Sequence, residues 1–224
     1  MKRSTINELL SDAVEFFIKM NCRLPPFAFW TVREWYSHFE EYSGVRDAML
    51  GWDITDFGSG RFSRTGLTLF TLRGGVSGDP RYPRPYIEKL MIVDENQHIP
   101  LHFHSGAMED IVNRGGGNLL VTFYNSLPSG ELDTSDLTLF TDGRSVSSSA
   151  GATLRLTPGE SVTILPGVYH SYFGEPGCGR VLAGKIAAVS DEPASRFYEP
   201  ASRFPFIDED ELPLYLLISD YATM

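Results

Sequence analysis

Two histidines one residue apart, a glutamate five residues further on and a late histidine after a Pro-Gly turn are residue types that can hold one metal ion together. In this chain they are His102, His104 and Glu109 in LHFHSGAMED, and His170 in LPGVYHSYFG. If IPLHFHS is a strand, side chains alternate along it, so His102 and His104 share a face while Leu101 and Phe103 take the other. The interval from His104 lets Glu109 cross a turn to the same point, and Gly115, Gly116 and Gly117 allow a sharp reversal before the apolar run NLLVTFY. Three imidazole nitrogens and one carboxylate oxygen leave two adjacent positions open on an octahedral Mn, Fe, Co or Ni ion. A His-x-His pair alone is more often ordinary structure. The added Glu109, the glycines and His170 turn the reading towards a metal site. His38 and His98 lack such partners and read as ordinary polar residues.

Those side chains need a β framework to face one another. From about Gly51, short apolar and β-branched runs alternate with Gly, Pro, Asp and Ser clusters, as in GLTLFTLRGG, YIEKLMIVDENQ and RVLAGKIAAVS. Closely spaced short strands of this kind predict a mainly β sandwich or barrel. Residues 1–50 read instead as a helical extension. Thr5 and Glu8 have capping-box spacing, and Ile6, Leu9, Leu10, Ala13, Val14 and Phe17 lie on one helical face. Pro25 and Pro26 break that helix, and Thr31 can cap the next. The barrel is expected over 51–190. Residues 191–224 form an acidic tail whose Phe197, Tyr198, Phe204, Phe206 and LYLLI should pack on the body, giving one domain overall.

The bulk numbers narrow the function. A chain of 224 residues can bury a substantial core. Its net charge of −10 argues against nucleic-acid phosphates as partners. No apolar run approaches bilayer length, and Glu8, Asp12 and Glu15 interrupt what would be a signal peptide. Two distant cysteines, Cys22 and Cys178, make no disulfide framework. The expectation is a cytoplasmic protein with free thiols, acting on a small molecule.

The pattern His102, His104, Glu109, Gly116 resembles the first motif of the cupin superfamily, with Asn96 where a glycine is usual. Gly159, Pro166, Gly167 and His170 are similar to a contracted second motif. That resemblance implies a double-sheet β-barrel, or jelly roll, with the metal inside. LPPFAFW, MLGWDITDFGSG, EKLMIV, EDIVNRGGGNL and SRFYEPASRFPFIDEDELPLYLLISDY look like the D-lyxose ketol-isomerase family of cupins over nearly the whole chain. It implies a manganese-dependent aldose-ketose isomerase interconverting D-lyxose and D-xylulose, a homodimer, with one divalent ion per chain (Mn first; Fe, Co, Ni or Zn as alternatives). The family usually carries Trp and Lys between its second His and Glu, where this chain has Ser105 and Ala107.

Aldose isomerisation moves a hydrogen between C1 and C2. It needs a polarised carbonyl, a held neighbouring hydroxyl and a base on one face. Lys89 shares a strand face with Ile87, Met91 and Val93, and the resemblance turns it inward, its ammonium bonding a substrate oxygen. Glu199, in a segment suited to closing a barrel mouth, is the expected base, with Glu109 as alternative if it leaves the metal. Arg203 and Asp210 are candidates for orienting the sugar, and Trp30 for stacking on it. Two other readings fit the same ligands: an iron-dependent cupin dioxygenase and a non-catalytic sugar-binding cupin.

Overall fold

The computed structural model describes residues 1–190 and 195–223. The first fifty residues form α1 (Arg3–Lys19), a 3-10 turn (Pro26–Phe29), α2 (Val32–Ser37) and α3 (Ser43–Asp47). Strands follow as β1 (Gly51–Thr55), β2 (Leu67–Gly74), β3 (Tyr86–Val93), β4 (His102–Phe103), β5 (Glu109–Gly116), β6 (Leu119–Ser126) and β7 (Leu132–Asp133). The remainder are β8 (Leu137–Thr141), β9 (Arg144–Ser148), β10 (Thr153–Leu156), β11 (Ser161–Ile164), β12 (Tyr169–Gly174), β13 (Val181–Ala188) and β14 (Arg196–Phe197), before a last 3-10 turn at Ile218–Thr223.

The strands build two antiparallel sheets, ordered β1-β2-β3-β13-β5-β11-β8-β9 and β10-β6-β12-β4-β14, with β7 beside β6. This is the double-sheet barrel expected of the sequence. Leu69, Met91, Val93 and Ile111 of the larger sheet meet Val121 and Phe123 of the smaller in one core. Alternation carries Trp52, Ile54, Phe70 and Ile92 to the outer face, where Ile6, Leu10, Ala13 and Phe17 of α1 cover them. The larger sheet is therefore apolar on both faces near β1, β2 and β3. A polar side chain on its inner face there is out of place unless it has work to do.

Some boundaries depart from the sequence reading. The expected strand over IPLHFHS shrinks to His102–Phe103. Pro100 has no amide to donate, and the carbonyl of His104 is taken by the amide of Gly167 at 2.9 Å. Glu109 lies past a bend at Ser105–Gly106, as expected, and opens β5 in the other sheet; what departs is that β5 runs on through two of the glycines. Gly116 is required there: its φ is 86°, and a Cβ would lie 2.2 Å from the carbonyl oxygen of Arg180. Thr31 caps α2 as expected, and the structure adds a capping box with Glu34. Thr5 does not cap α1, because that helix starts two residues earlier, at Arg3. Asp210 instead receives the Ser4 amide at 2.9 Å. Both cysteines are unpaired, and no helix among the described residues is long and apolar enough to cross a membrane.

The C-terminal segment is held by a buried cation. Arg3 is 1% exposed and gives Nε and Nη2 to Glu209 at 2.8 and 2.7 Å, and Nη1 and Nη2 to Asp220 at 3.1 and 2.8 Å. Bidentate pairs of this geometry are the strong ones. Removing a buried partner leaves the other charges uncompensated. Arg3→Met should therefore cost about 2–4 kcal/mol in chemical denaturation. A loss below about 0.5 kcal/mol, the range of ordinary surface substitutions, would contradict the anchoring role.

Candidate active site

The smaller sheet places two histidines side by side: His170 on β12 is the register partner of His102 on β4. His104 follows β4 directly, and Glu109 opens β5 in the facing sheet. One nitrogen from each of His102, His104 and His170 lies within 4.8 Å of the others. Their tautomers are set by the backbone. Nδ1 of His102 is 2.7 Å from the carbonyl of Pro100, and Nδ1 of His170 is 3.1 Å from that of Val168. A proton on each Nδ1 leaves the Nε2 lone pairs directed into the site.

Glu109 lies among these lone pairs. Its Oε1 is 2.9 Å from Nε2 of His170 and its Oε2 is 3.3 Å from Nε2 of His104. Oε1 and the His170 nitrogen are both buried and have no hydrogen-bond donor. Two buried acceptors facing each other call for a cation between them, so the residues fit a divalent metal. Lys185 on β13 approaches the same point. Its ammonium pairs with Glu109 Oε2 and lies 3.2 Å from Nε2 of His104. Burial alone would raise the Glu109 pKa, but Lys185 and the histidines outweigh it and hold the carboxylate well below its usual range. Burial, reinforced by Lys185, pushes His104 down to about 3. It also holds His102 well below the ordinary imidazole value.

A cavity opens beside this cluster. Its wall includes His102, His104, Lys185, Lys89, Asp53 and Arg203. A second pocket continues past Lys89, His104, Lys185 and Arg203 to Ser105, Gly106 and Ala107. Lys89 does turn inward, on the face shared with Met91. Burial, then the charges of Arg203 and Lys185, push its pKa down to about 7. Arg203 reaches the wall from the C-terminal segment, donating to Oδ2 of Asp53 from Nε at 3.2 Å and Nη2 at 3.0 Å.

Three other candidates are not brought to the cavity. Glu199 is exposed and outside its lining, since alternation at β14 turns Phe197 inward instead, 5.6 Å from the His102 ring. Asp210 is occupied at the start of α1, with Ser4 and Lys2. Trp30 packs with Trp35, stacked His38 and Tyr42, in a cluster that braces α2. Sequence reasoning passed over Asp53 and Lys185. The available signal was a lone charge in an otherwise apolar strand, W-D-I and G-K-I, on the inward period.

A two-sheet barrel that directs three imidazoles and a carboxylate into a cation-lined cavity defines a small-molecule site of the cupin type. The family model for D-lyxose isomerase matches residues 1–221. A D-lyxose/D-mannose isomerase of Serratia proteamaculans is 43% identical over 223 residues, 99% of this chain and 98% of that protein. Its counterpart in Escherichia coli O157:H7 is 42% identical with the same coverage. The chain belongs to the D-lyxose isomerase family, and it is an enzyme of the aldose-ketose isomerase class. In fold it is similar to the L-ribose isomerase of Cellulomonas parahominis, with a TM-score of 0.62 at 16% identity over 93% of this chain and 98% of that one. The Acinetobacter sp. DL28 L-ribose isomerase gives a TM-score of 0.57 at 14% identity over 87% and 84%.

The depressed imidazoles give a signed pH dependence. An unfolded histidine takes up its proton near pH 6.5, whereas folded His102 and His104 stay neutral well below that. The unfolded chain thus binds more protons as pH falls. The stability these groups contribute is present above pH 6.5 and is lost towards the folded value. Denaturation with a metal chelator present should show stability falling from about pH 6.5 to 4, by on the order of 1 kcal/mol per pH unit from His104, with His102 acting in the same direction. A flat profile over that interval would contradict the buried neutral pair.

Proposed function

We propose that this enzyme uses a divalent metal, Mn first, to interconvert D-lyxose with D-xylulose, and that it also takes D-mannose to D-fructose. The observation that carries the metal dependence is the buried Glu109 oxygen opposing the His170 lone pair, with no donor for either. His102, His104, His170 and Glu109 would hold the ion. When bound, it would polarise the sugar's carbonyl and neighbouring hydroxyl and stabilise developing negative charge. A nitrogen-rich set with one carboxylate suits Mn, Fe, Co or Ni.

The chain's own residues do the rest. Lys89 and Lys185 are cross-strand partners on the inner face, so two donors stand side by side where the sugar's oxygens would lie. Arg203 sits across from them, fixed by Asp53. Phe57, Met91 and Phe197 give the same cavity apolar walls that exclude water from an enediolate. The two sugars named for the relatives share their configuration at C2, C3 and C4 and differ by one terminal carbon. A site that grips the reacting end can accept both.

The test is a panel of free aldoses incubated with Mn-loaded protein, under argon, and analysed for the ketose. Conversion of D-lyxose and D-mannose, with L-ribose turned over at least about tenfold more slowly, is expected. Conversion should stop with a chelator and return with Mn. No interconversion of any aldose would overturn the reading, and undiminished turnover in chelator would overturn its metal dependence.

A further inference from the structure

Asp53 is a carboxylate on a strand where the neighbouring residues are apolar and buried. Strand β1 is buried along its whole length. Trp52 and Ile54 face α1, so Asp53 and Thr55 face the barrel interior, where both line the cavity. Asp53 is register partner to Leu69, and Leu69 to Met91, one inward row from the row that pairs Lys89 with Lys185. Burying a carboxylate at 2% exposure is costly unless it is paired. Arg203 meets that cost in a lopsided way, since both its bonds go to Oδ2 and none to Oδ1. Among the described residues the cavity's carboxylates are Asp53 and Glu109. Glu109 is taken up by the histidines and Lys185.

Resting on the isomerase reading above, we infer that Asp53 is the catalytic base, its Oδ1 carrying the substrate proton between C2 and C1. The carboxylate takes the C2 proton of the open-chain aldose, and the C2–H electron pair becomes the C1–C2 double bond of an enediolate. The hydroxyl proton passes from O2 to O1, and Asp53 returns its proton to C1. The product is the ketose, with C2 as carbonyl, and no co-reactant is consumed. Arg203 is a positioning residue that occupies Oδ2 and leaves Oδ1 for the sugar.

Asp53→Asn keeps the shape and an acceptor for Arg203 but loses basicity. With D-lyxose and Mn-loaded protein, kcat should fall by about 10²–10⁴, with KM within about threefold and metal content unchanged. Arg203→Met breaks the same ion pair and keeps the carboxylate, so its larger effect should be on KM. Equal kcat losses in the two variants would mean Asp53 acts only as Arg203's partner, and would overturn the proposal. If Asp53→Asn does not fold, Asp53→Glu, which displaces the carboxylate by one methylene, should fold and lower kcat at least tenfold; unchanged kcat would count against the role. A wild type active on D-lyxose beside an equally active Asp53→Asn overturns Asp53 alone. An inactive wild type removes the isomerase reading and the base with it.

Discussion

The structure turns on one unfavourable approach: a buried carboxylate oxygen of Glu109 held 2.9 Å from the lone-pair nitrogen of His170. Neither atom has a donor to satisfy it. In a low-dielectric interior such an arrangement costs several kcal/mol unless positive charge lies between or beside the two. The local cations meet only part of that need, since Lys185 pairs with the other oxygen, Oε2, and leaves the facing Oε1 and Nε2 for a metal ion. Lys185 touches Glu109, and Lys89 and Arg203 complete a positive wall. A chain with a net charge of −10 has concentrated positive charge where its reaction needs it.

That approach is imposed by the two sheets. His170 and His102 are locked side by side by the β12–β4 pairing, while Glu109 and Lys185 belong to adjacent strands of the opposite sheet. Packing of Leu69, Met91 and Ile111 against Val121 and Phe123 sets the distance between the sheets, and so the size of the site. The C-terminal segment adds the last wall. It pairs β14 with β4, delivers Phe197 to His102 and brings Arg203 to Asp53. Arg3, buried under Glu209 and Asp220, ties the far end of this segment to α1.

Much of this was legible in the sequence, and the limits have physical causes. The spacing of His102, His104 and Glu109, with His170 after its Pro-Gly turn, marked the cluster because metal ligation demands particular atoms at particular intervals. Period-two alternation put Lys89 on one strand face with Met91 and Val93, the family resemblance turned that face inward, and the β-rich runs gave the barrel. Glu199, Asp210 and Trp30 lie in segments whose placement is decided by long-range packing, which no local period encodes. Their residue types suited sugar chemistry equally well at the surface, at a helix start or in an aromatic cluster. Asp53 and Lys185 carried a weaker signal, one charge within an apolar strand, that becomes meaningful only when the sheet shows which face is inside. The capping role expected of Thr5 went to Asp210, some two hundred residues away, for the same reason.

The central claim is that the four side chains hold one ion. Equilibrium dialysis against Mn, with elemental analysis, tests it on wild-type protein and on His104→Ala and His170→Ala, each checked for an unchanged circular dichroism spectrum. The account predicts one Mn per chain in the wild type and loss of stoichiometric metal in both variants, since each removes a nitrogen from the cluster. Wild-type metal content in the folded variants would contradict it.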